Sequence, residues 1–248
     1  MYTYARLCNL SRFDNSDSDI AHYLLMHLDV LDHLTVSQFV KDTGISKSTL
    51  HRFYSKGGYI SFNSLLSELD DEIKQKRLVN LNDTNRYKSY KINSEIQNRF
   101  DKKQLSHLVK KIIRANKVVF YGNTSEIAEL KDLQFYCHLH QIDVIYLDVW
   151  DMNYSYHVLD EMKEDDVFIM VETSWHIHLL YENSIVHRDM LNLDTINSLY
   201  FQKFYIGEAE TSEYLSFQNI KISSKENARV FLIALDEEIN RLLLGEKK

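Results

Sequence analysis

From Ser46 to Lys56 the chain reads Ser-Lys-Ser-Thr-Leu-His-Arg-Phe-Tyr-Ser-Lys, with no acidic residue. Wound as a helix, this stretch turns Leu50 and Phe53 to one side and Lys47, Ser48, His51, Arg52 and Ser55 to the other. Hydroxyls at Ser46, Ser48 and Thr49 would cluster at its amino end, where they suit phosphate oxygens. Lys47, His51, Arg52 and Lys56 supply donors for phosphates or base edges. A short helix that is polar outside and free of carboxylates fits a DNA major groove.

Two further clusters are of types that bear chemistry. Gly122-Asn123-Thr124-Ser125-Glu126 and Glu172-Thr173-Ser174-Trp175-His176 offer hydroxyls, carboxylates, an indole and an imidazole to a small polar ligand. Proton transfer needs an acid and a base held at the reacting group. Glu172 and His176 are of the right type, but no spacing assigns them that work, so no catalytic residue is expected. Cys137-His138-Leu139-His140 and His176-Ile177-His178 invite a metal reading. Residues two apart on a helix diverge, however, so neither His-x-His pair chelates from one helical face. Boundary histidines and a buried thiol are expected instead, with no metal and no cofactor.

These residues must be positioned by elements that the hydrophobic pattern locates. Val36, Phe39 and Val40 predict a helix, Gly44 a turn, and Ser46 the N-cap of the next helix, which ends at Gly57-Gly58. Ahead of them, Ser16 to Asp29 predicts a first helix, with Ser16 and Asp19 as a capping-box-like start and Ile20, Leu24, Leu28 and Leu31 as its inward stripe. His22 and His27 fall at the surface or boundary. Phe62, Leu65, Leu66, Leu69 and Ile73 predict a closing helix to about Arg77. Residues 78–102 are polar and then weakly amphipathic at Ile92, Ile96 and Phe100, as in a linker with a connecting helix.

The pattern then changes. Leu105 to Ile113 is helical, Lys117 to Gly122 a strand, and Glu126 to His140 helical again. Strands follow at Val144–Leu147, Val167–Val171, Phe204–Ile206 and Ile220–Ile222, and a last helix starts near Glu226. Alternation of this kind predicts parallel βαβ units in a three-layer α/β/α domain. The fold class is therefore two-domain: an all-α bundle over 1–77, a connector over 78–102 and an α/β domain over 103–248.

Charge separates the halves. From Thr35 to Asn63, Lys41, Lys47, Arg52 and Lys56 face Asp42 alone, a local +3 in a chain of net charge −7. A small basic face on an acidic body gives phosphate contacts without indiscriminate affinity. With 44% hydrophobic residues the chain buries a full core. Cys8 and Cys137 are too few for a disulfide framework. No signal peptide and no apolar run of about 18 residues is present, so a cytoplasmic protein without a membrane span is expected.

Ser46-Lys47-Ser48-Thr49-Leu50-His51-Arg52-Phe53, then Lys56-Gly57-Gly58-Tyr59 and Phe62-Asn63-Ser64-Leu65, resemble the N-terminal domain of RpiR-type transcription regulators. Ile20-Ala21 and Tyr23-Leu24 fit that family's first helix. The paired glycines depart from it, since a bulkier residue more often precedes a single glycine. The second half resembles the sugar isomerase (SIS) domain that accompanies this N-terminus, in its order of elements though not its binding motifs. The resemblance implies Gly-x-Gly-x-Ser after the first strand, where Thr124 and Glu126 stand at the second glycine and the serine. It implies Ser-x-Ser-Gly-x-Thr after the third, where Glu172, Trp175 and Ile177 replace a serine, the glycine and the threonine.

The expectation is a DNA-binding regulator linked to carbohydrate metabolism and not an enzyme. It would act on double-stranded DNA as a homodimer or dimer of dimers, with a sugar or sugar-phosphate effector at a degenerate SIS site, whose contacts the resemblance implies at Thr124, Ser125, Glu172, Thr173, Ser174, Trp175 and His176. The rival is a divergent phosphosugar isomerase or binding protein with a helical appendage.

Overall fold

The computed structural model describes residues 2–13, 15–82, 100–148, 157–172, 196, 198–207, 217–222 and 224–245. The chain divides into two compact units, Met1–Lys91 with His138–Gln141 and Ile92–Cys137 with Ile142–Lys248.

The first unit is helical: α1 (Tyr2–Leu10), α2 (Ser16–Met26), a 3₁₀ turn (Leu31–His33), α3 (Val36–Thr43), α4 (Lys47–Lys56) and α5 (Phe62–Asn82). α1 is a helix that the apolar pattern does not predict. Tyr4 and Leu7 are its buried apolar residues, with Thr3 buried beside them, and its cap comes from far along the chain. Both oxygens of Glu72 accept backbone N–H groups at the start of α1, from Thr3 at 2.9 Å and Tyr4 at 3.0 Å. Burial works against the Glu72 carboxylate and the backbone bonds from Tyr4 and Thr3 work for it, and its carboxyl lies below the ordinary range.

α2 starts at Ser16, as predicted, but its cap lies one residue earlier. Asn15 is the N-cap, accepting from the amides of Asp17 and Ser18, and the helix stops at Met26 instead of Asp29. Ile20, Leu24, Leu28 and Leu31 are all buried, but the last two lie beyond α2, so the inward stripe continues through a bend. Phe39 is the hub of this core: its ring meets Tyr23 edge-on at 5.0 Å and Phe62 at 5.6 Å, joining α2, α3 and α5. Phe62, Leu65, Leu66, Leu69 and Ile73 are all buried on α5. The predicted connecting helix at Ile92 and Ile96 lies outside the described residues.

The second unit opens with α6 (Lys102–Arg114), capped by Asp101, and continues with β1 (Lys117–Gly122), α7 (Thr124–Ile127), a 3₁₀ turn (Ala128–Leu130), α8 (Lys131–Leu139), β2 (Asp143–Asp148), β3 (Val167–Glu172), β4 (Gln202–Gly207), β5 (Gln218–Lys221) and α9 (Lys225–Gly245). The helix predicted over Glu126 to His140 is thus broken. The Tyr146 hydroxyl of β2 donates to the Leu130 carbonyl inside the break, giving that group a partner off the helix axis. β5 begins two residues before its predicted start.

The five strands form one sheet in the order β2-β1-β3-β4-β5, and every pair is parallel. Strands covered on both faces should read as continuous apolar runs, and all six residues of β3 are buried. Alternation sends Val119, Tyr121, Phe168, Met170 and Tyr205 to one face, where they pack with Val158, Leu159, Ile196, Phe201 and Phe217. On the other face α6 lays the His107 ring 5.9 Å from Phe204, and α9 brings Phe231 against Phe100. No described helix is long and apolar enough to cross a membrane.

Candidate nucleic-acid interface and the strand-end crevice

α3, the turn at Gly44 and α4 are each closed by local chemistry. The Thr35 hydroxyl caps α3 by accepting from the Gln38 amide at 3.1 Å. Gly44 ends the helix at φ 70°, a left-handed conformation that costs glycine little and other residues about 1–2 kcal/mol. Thr43 stiffens the turn, donating to the Phe39 carbonyl at 2.8 Å and accepting from the Ile45 amide at 3.1 Å. Ser46 then caps α4 through the Thr49 amide at 3.2 Å.

Ser46 Oγ also lies 2.8 Å from Ser48 Oγ and 3.0 Å from Thr49 Oγ1, so three hydroxyls gather at the amino end of α4. This end carries the positive pole of the helix and its unsatisfied amides, which favour an anion such as a backbone phosphate. Leu50 and Phe53 bury the inner face. Lys47, Ser48, His51, Arg52 and Ser55 form the exposed face, and Thr49 is half-buried. The His51 ring stands edge-on to Tyr54 at 5.0 Å, which gives it a fixed neighbour on the same face.

Two charged residues of this region are engaged within the unit. Lys56 Nζ lies 3.0 Å from Asp17 Oδ2 on α2, so it bridges the last turn of α4 to the bundle. Asp42, the single acid between Thr35 and Asn63, accepts from Gln38 at 2.6 Å and from the Tyr23 hydroxyl at 2.7 Å. The bond from Gln38, followed by that from Tyr23, holds its carboxyl below the usual range. Burial and the bond to Asp42 push the Tyr23 phenol up to about 12. Asp42 thereby ties α3 to α2 on an element separate from the exposed face of α4.

The paired glycines after α4 have separate duties. Gly58 lies at φ 84°, its amide bonded to the Ser55 carbonyl at 3.0 Å and that of Tyr59 to the Tyr54 carbonyl at 3.0 Å. That pair of bonds is a Schellman motif, with Gly58 as its left-handed residue. Gly57 is helical, but a Cβ there would meet Tyr59 Cδ2 at 2.7 Å and Arg6 Nη1 at 2.8 Å. One glycine serves the backbone turn and the other leaves room for two side chains.

In the second unit the chain leaves β1 for β2 on one side, while β3 flanks it on the other. Open parallel sheets place ligands in the crevice outside the carboxyl ends of strands where the order reverses in this way. Gly122 ends β1 there; a Cβ would sit 2.8 Å from the Val171 carbonyl, so glycine allows the close approach of β3. Glu172 ends β3, is 5% exposed, and accepts the Tyr205 hydroxyl at 2.6 Å. Tyr205 reaches it by lying over Gly207, where a Cβ would be 2.5 Å from the phenol oxygen. Glu126, at the serine position of the first motif, is 6% exposed on α7. Thr124 and Ser125 form the start of α7, and their side chains lie outside the described residues, as do Thr173, Ser174, Trp175 and His176. Cys137 is fully buried, and burial pushes its thiol well above the ordinary range; His138 is buried rather than at the boundary.

Two short helices joined through a left-handed glycine, the second exposing hydroxyls, lysine, histidine and arginine, have the geometry of a helix-turn-helix. Residues 8–76 match the family model described as a helix-turn-helix domain of the rpiR family. No curated protein matches the chain. Among solved structures, the chain is similar to the sugar isomerase domain of an RpiR transcription factor from Sphaerobacter thermophilus, at 13% identity, with 62% of this chain and 89% of that one covered and a TM-score of 0.41. It is also similar to the NanR protein of Vibrio vulnificus complexed with ManNAc-6P, at 14% identity, with 99% and 92% covered and a TM-score of 0.41. A third is the C-terminal domain of a glucosamine-fructose-6-phosphate aminotransferase from Francisella tularensis, at 9% identity, with 79% and 50% covered and a TM-score of 0.40.

Proposed function

We propose that this chain is a DNA-binding transcription regulator of RpiR type, with α4 as the helix that enters the major groove. The observation that carries the reading is the α4 surface. Lys47, Ser48, His51, Arg52 and Ser55 are exposed together beside a hydroxyl cluster at the helix start, and the acid of the region is held elsewhere. Ser46, Ser48 and Thr49 are assigned to phosphates near the amino end of α4, and Lys47, His51 and Arg52 to base edges or backbone. Lys56 joins them only by exchanging Asp17 for a phosphate. Residues 1–77 form the DNA-binding domain, 78–102 the connector, and 103–248 a SIS-like domain that dimerises and senses an effector in the cytoplasm.

The effector site is assigned to the crevice at the ends of β1 and β3, with Gly122, the start of α7 and Glu172 on its border. A sugar or sugar-phosphate effector tied to carbohydrate metabolism suits the RpiR resemblance. A buried carboxylate at Glu172 disfavours a phosphate placed directly against it. Regulation follows if the effector binds one arrangement of the DNA-binding domains better than another. The reading is of a regulator without turnover: Glu172, which an isomerase would use, is engaged by Tyr205 in the core.

The test is selection of duplexes from a random pool by the full chain, then footprinting with wild type and with Lys47→Ala, Arg52→Ala. Protection by wild type that the double variant loses supports the reading. Indifference to both substitutions overturns it. Thermal shift of the full chain against sugars, aminosugars and their phosphates tests the effector claim, because binding to the native state alone raises the melting temperature.

A further inference from the structure

Three residues past the end of the recognition helix, Tyr59 is held by two other elements at once. Tyr59, the residue after the left-handed Gly58, places its hydroxyl 2.7 Å from Thr3 Oγ1 on α1 and 3.5 Å from Glu68 Oε1 on α5. Thr3 has one hydroxyl proton, and the Glu68 carboxylate, which only accepts, takes it at 2.9 Å. With that proton directed to Glu68, the Tyr59 hydroxyl donates to Thr3 at 2.7 Å in preference to Glu68 at 3.5 Å. Thr3 is 2% exposed, whereas Tyr59 is half-buried and Glu68 exposed, so the bonds are shielded from water at their Thr3 end. Its backbone amide is fixed by Glu72, and Arg6, one turn further along α1, reaches the space beside Gly57. A cation in that place favours the carbonyl end of α4.

We propose that α1 is a tether that sets the pose of the recognition helix, with Thr3, Glu68 and Tyr59 as its positioning residues. The family match begins at residue 8, so Thr3 and Arg6 lie ahead of the segment that carries the general helix-turn-helix pattern. The amino end of α4 is fixed by its own cap, and its carboxyl end by this tether. The two together leave α4 little freedom to pivot about the Gly44 turn. The paired glycines follow from the same device, because Gly57 vacates the space that the Tyr59 ring and Arg6 occupy. A pivoting helix still neutralises phosphates but misaligns its base contacts, so the tether governs specific binding more than non-specific binding.

The proposal rests on the DNA-binding reading for its consequence, but its structural core is measured without DNA. Full-chain Thr3→Val removes the hydroxyl at nearly constant volume, Tyr59→Phe removes it from the other side, and Thr3→Ser restores it. In the free protein, hydrogen exchange at the Gly58 and Tyr59 amides should quicken by about tenfold in both disabling variants and return in Thr3→Ser. On DNA, affinity for a selected duplex should fall by about tenfold, with non-specific affinity and salt slope unchanged. Wild-type exchange rates in Thr3→Val and Tyr59→Phe overturn the tether whether or not the chain binds DNA. Faster exchange with equal loss of specific and non-specific affinity overturns the positioning role. Wild type that binds no duplex overturns the regulator reading, while the exchange result still decides the tether.

Discussion

Gly58 lies at φ 84° with open space where a Cβ would stand, so substitutions there report backbone strain alone. An alanine in a left-handed conformation costs about 1–2 kcal/mol. The stiffer unfolded chain returns about 0.4–1 kcal/mol, leaving Gly58→Ala about 1 kcal/mol less stable. Asparagine tolerates this region and should cost less, while β-branched valine should cost about 2 kcal/mol or more. Gly57 is the contrast. Its backbone lies in the right-handed region that alanine adopts freely, so the stiffer unfolded chain returns about 0.4–1 kcal/mol, and its Cβ displaces the Tyr59 ring and Arg6. Losing the Thr3–Tyr59 bond takes back about 1 kcal/mol, so Gly57→Ala should melt near wild type yet bind its duplex poorly. The assay is thermal melting by circular dichroism, with tryptophan fluorescence in parallel. For a unit of this size 1 kcal/mol moves the midpoint by about 4–8 °C. A Gly58→Ala chain as stable as wild type, or equal midpoints for asparagine and valine, would refute the assignment.

Other expectations follow from single interactions. Glu72 has its carboxyl held below the unfolded value, so its contribution is full above about pH 5 and is lost as pH falls through the lower folded value. The midpoint difference between wild type and Glu72→Gln should then shrink on acidification, and a constant difference speaks against the cap. Ser46→Ala should destabilise the first unit by about 1 kcal/mol in urea and lower DNA affinity as well; no change in either contradicts its double role. Cys137 is buried with its thiol pushed up, whereas Cys8 is half-buried. A disulfide reagent should label native chain once, at Cys8, and rapid labelling of both contradicts the packing of α8.

What can be read from the sequence is what depends on neighbours along the chain. Gly44, the Ser46 cap and the Leu50–Phe53 face are set within a few residues, and each is found where the spacing puts it. β3 shows itself because a strand covered on both faces is apolar throughout. What stays hidden depends on residues far away. α1 owes its cap to Glu72, sixty-nine positions from the Thr3 amide it accepts. The break before α8 coincides with a hydroxyl from Tyr146, and no proline or glycine marks it. Asn15 takes the cap of α2 ahead of Ser16 because its longer side chain reaches two amides at once. At the crevice, Glu172 stands out in the sequence as a misplaced acid. Tyr205, which engages it, is thirty-three residues on and looks in sequence like one more core aromatic.

The central claim is that α4 meets DNA through Lys47, Arg52 and the hydroxyls at its start. Fluorescence anisotropy of the full chain on a selected duplex, across a salt series, tests it most directly. The logarithm of affinity should fall linearly with that of salt, and removing one phosphate-binding cation should reduce the slope by about 0.9. The account predicts a shallower slope and weaker binding for Lys47→Ala, Arg52→Ala. A slope unchanged in that variant, or binding indifferent to salt in wild type, would contradict it.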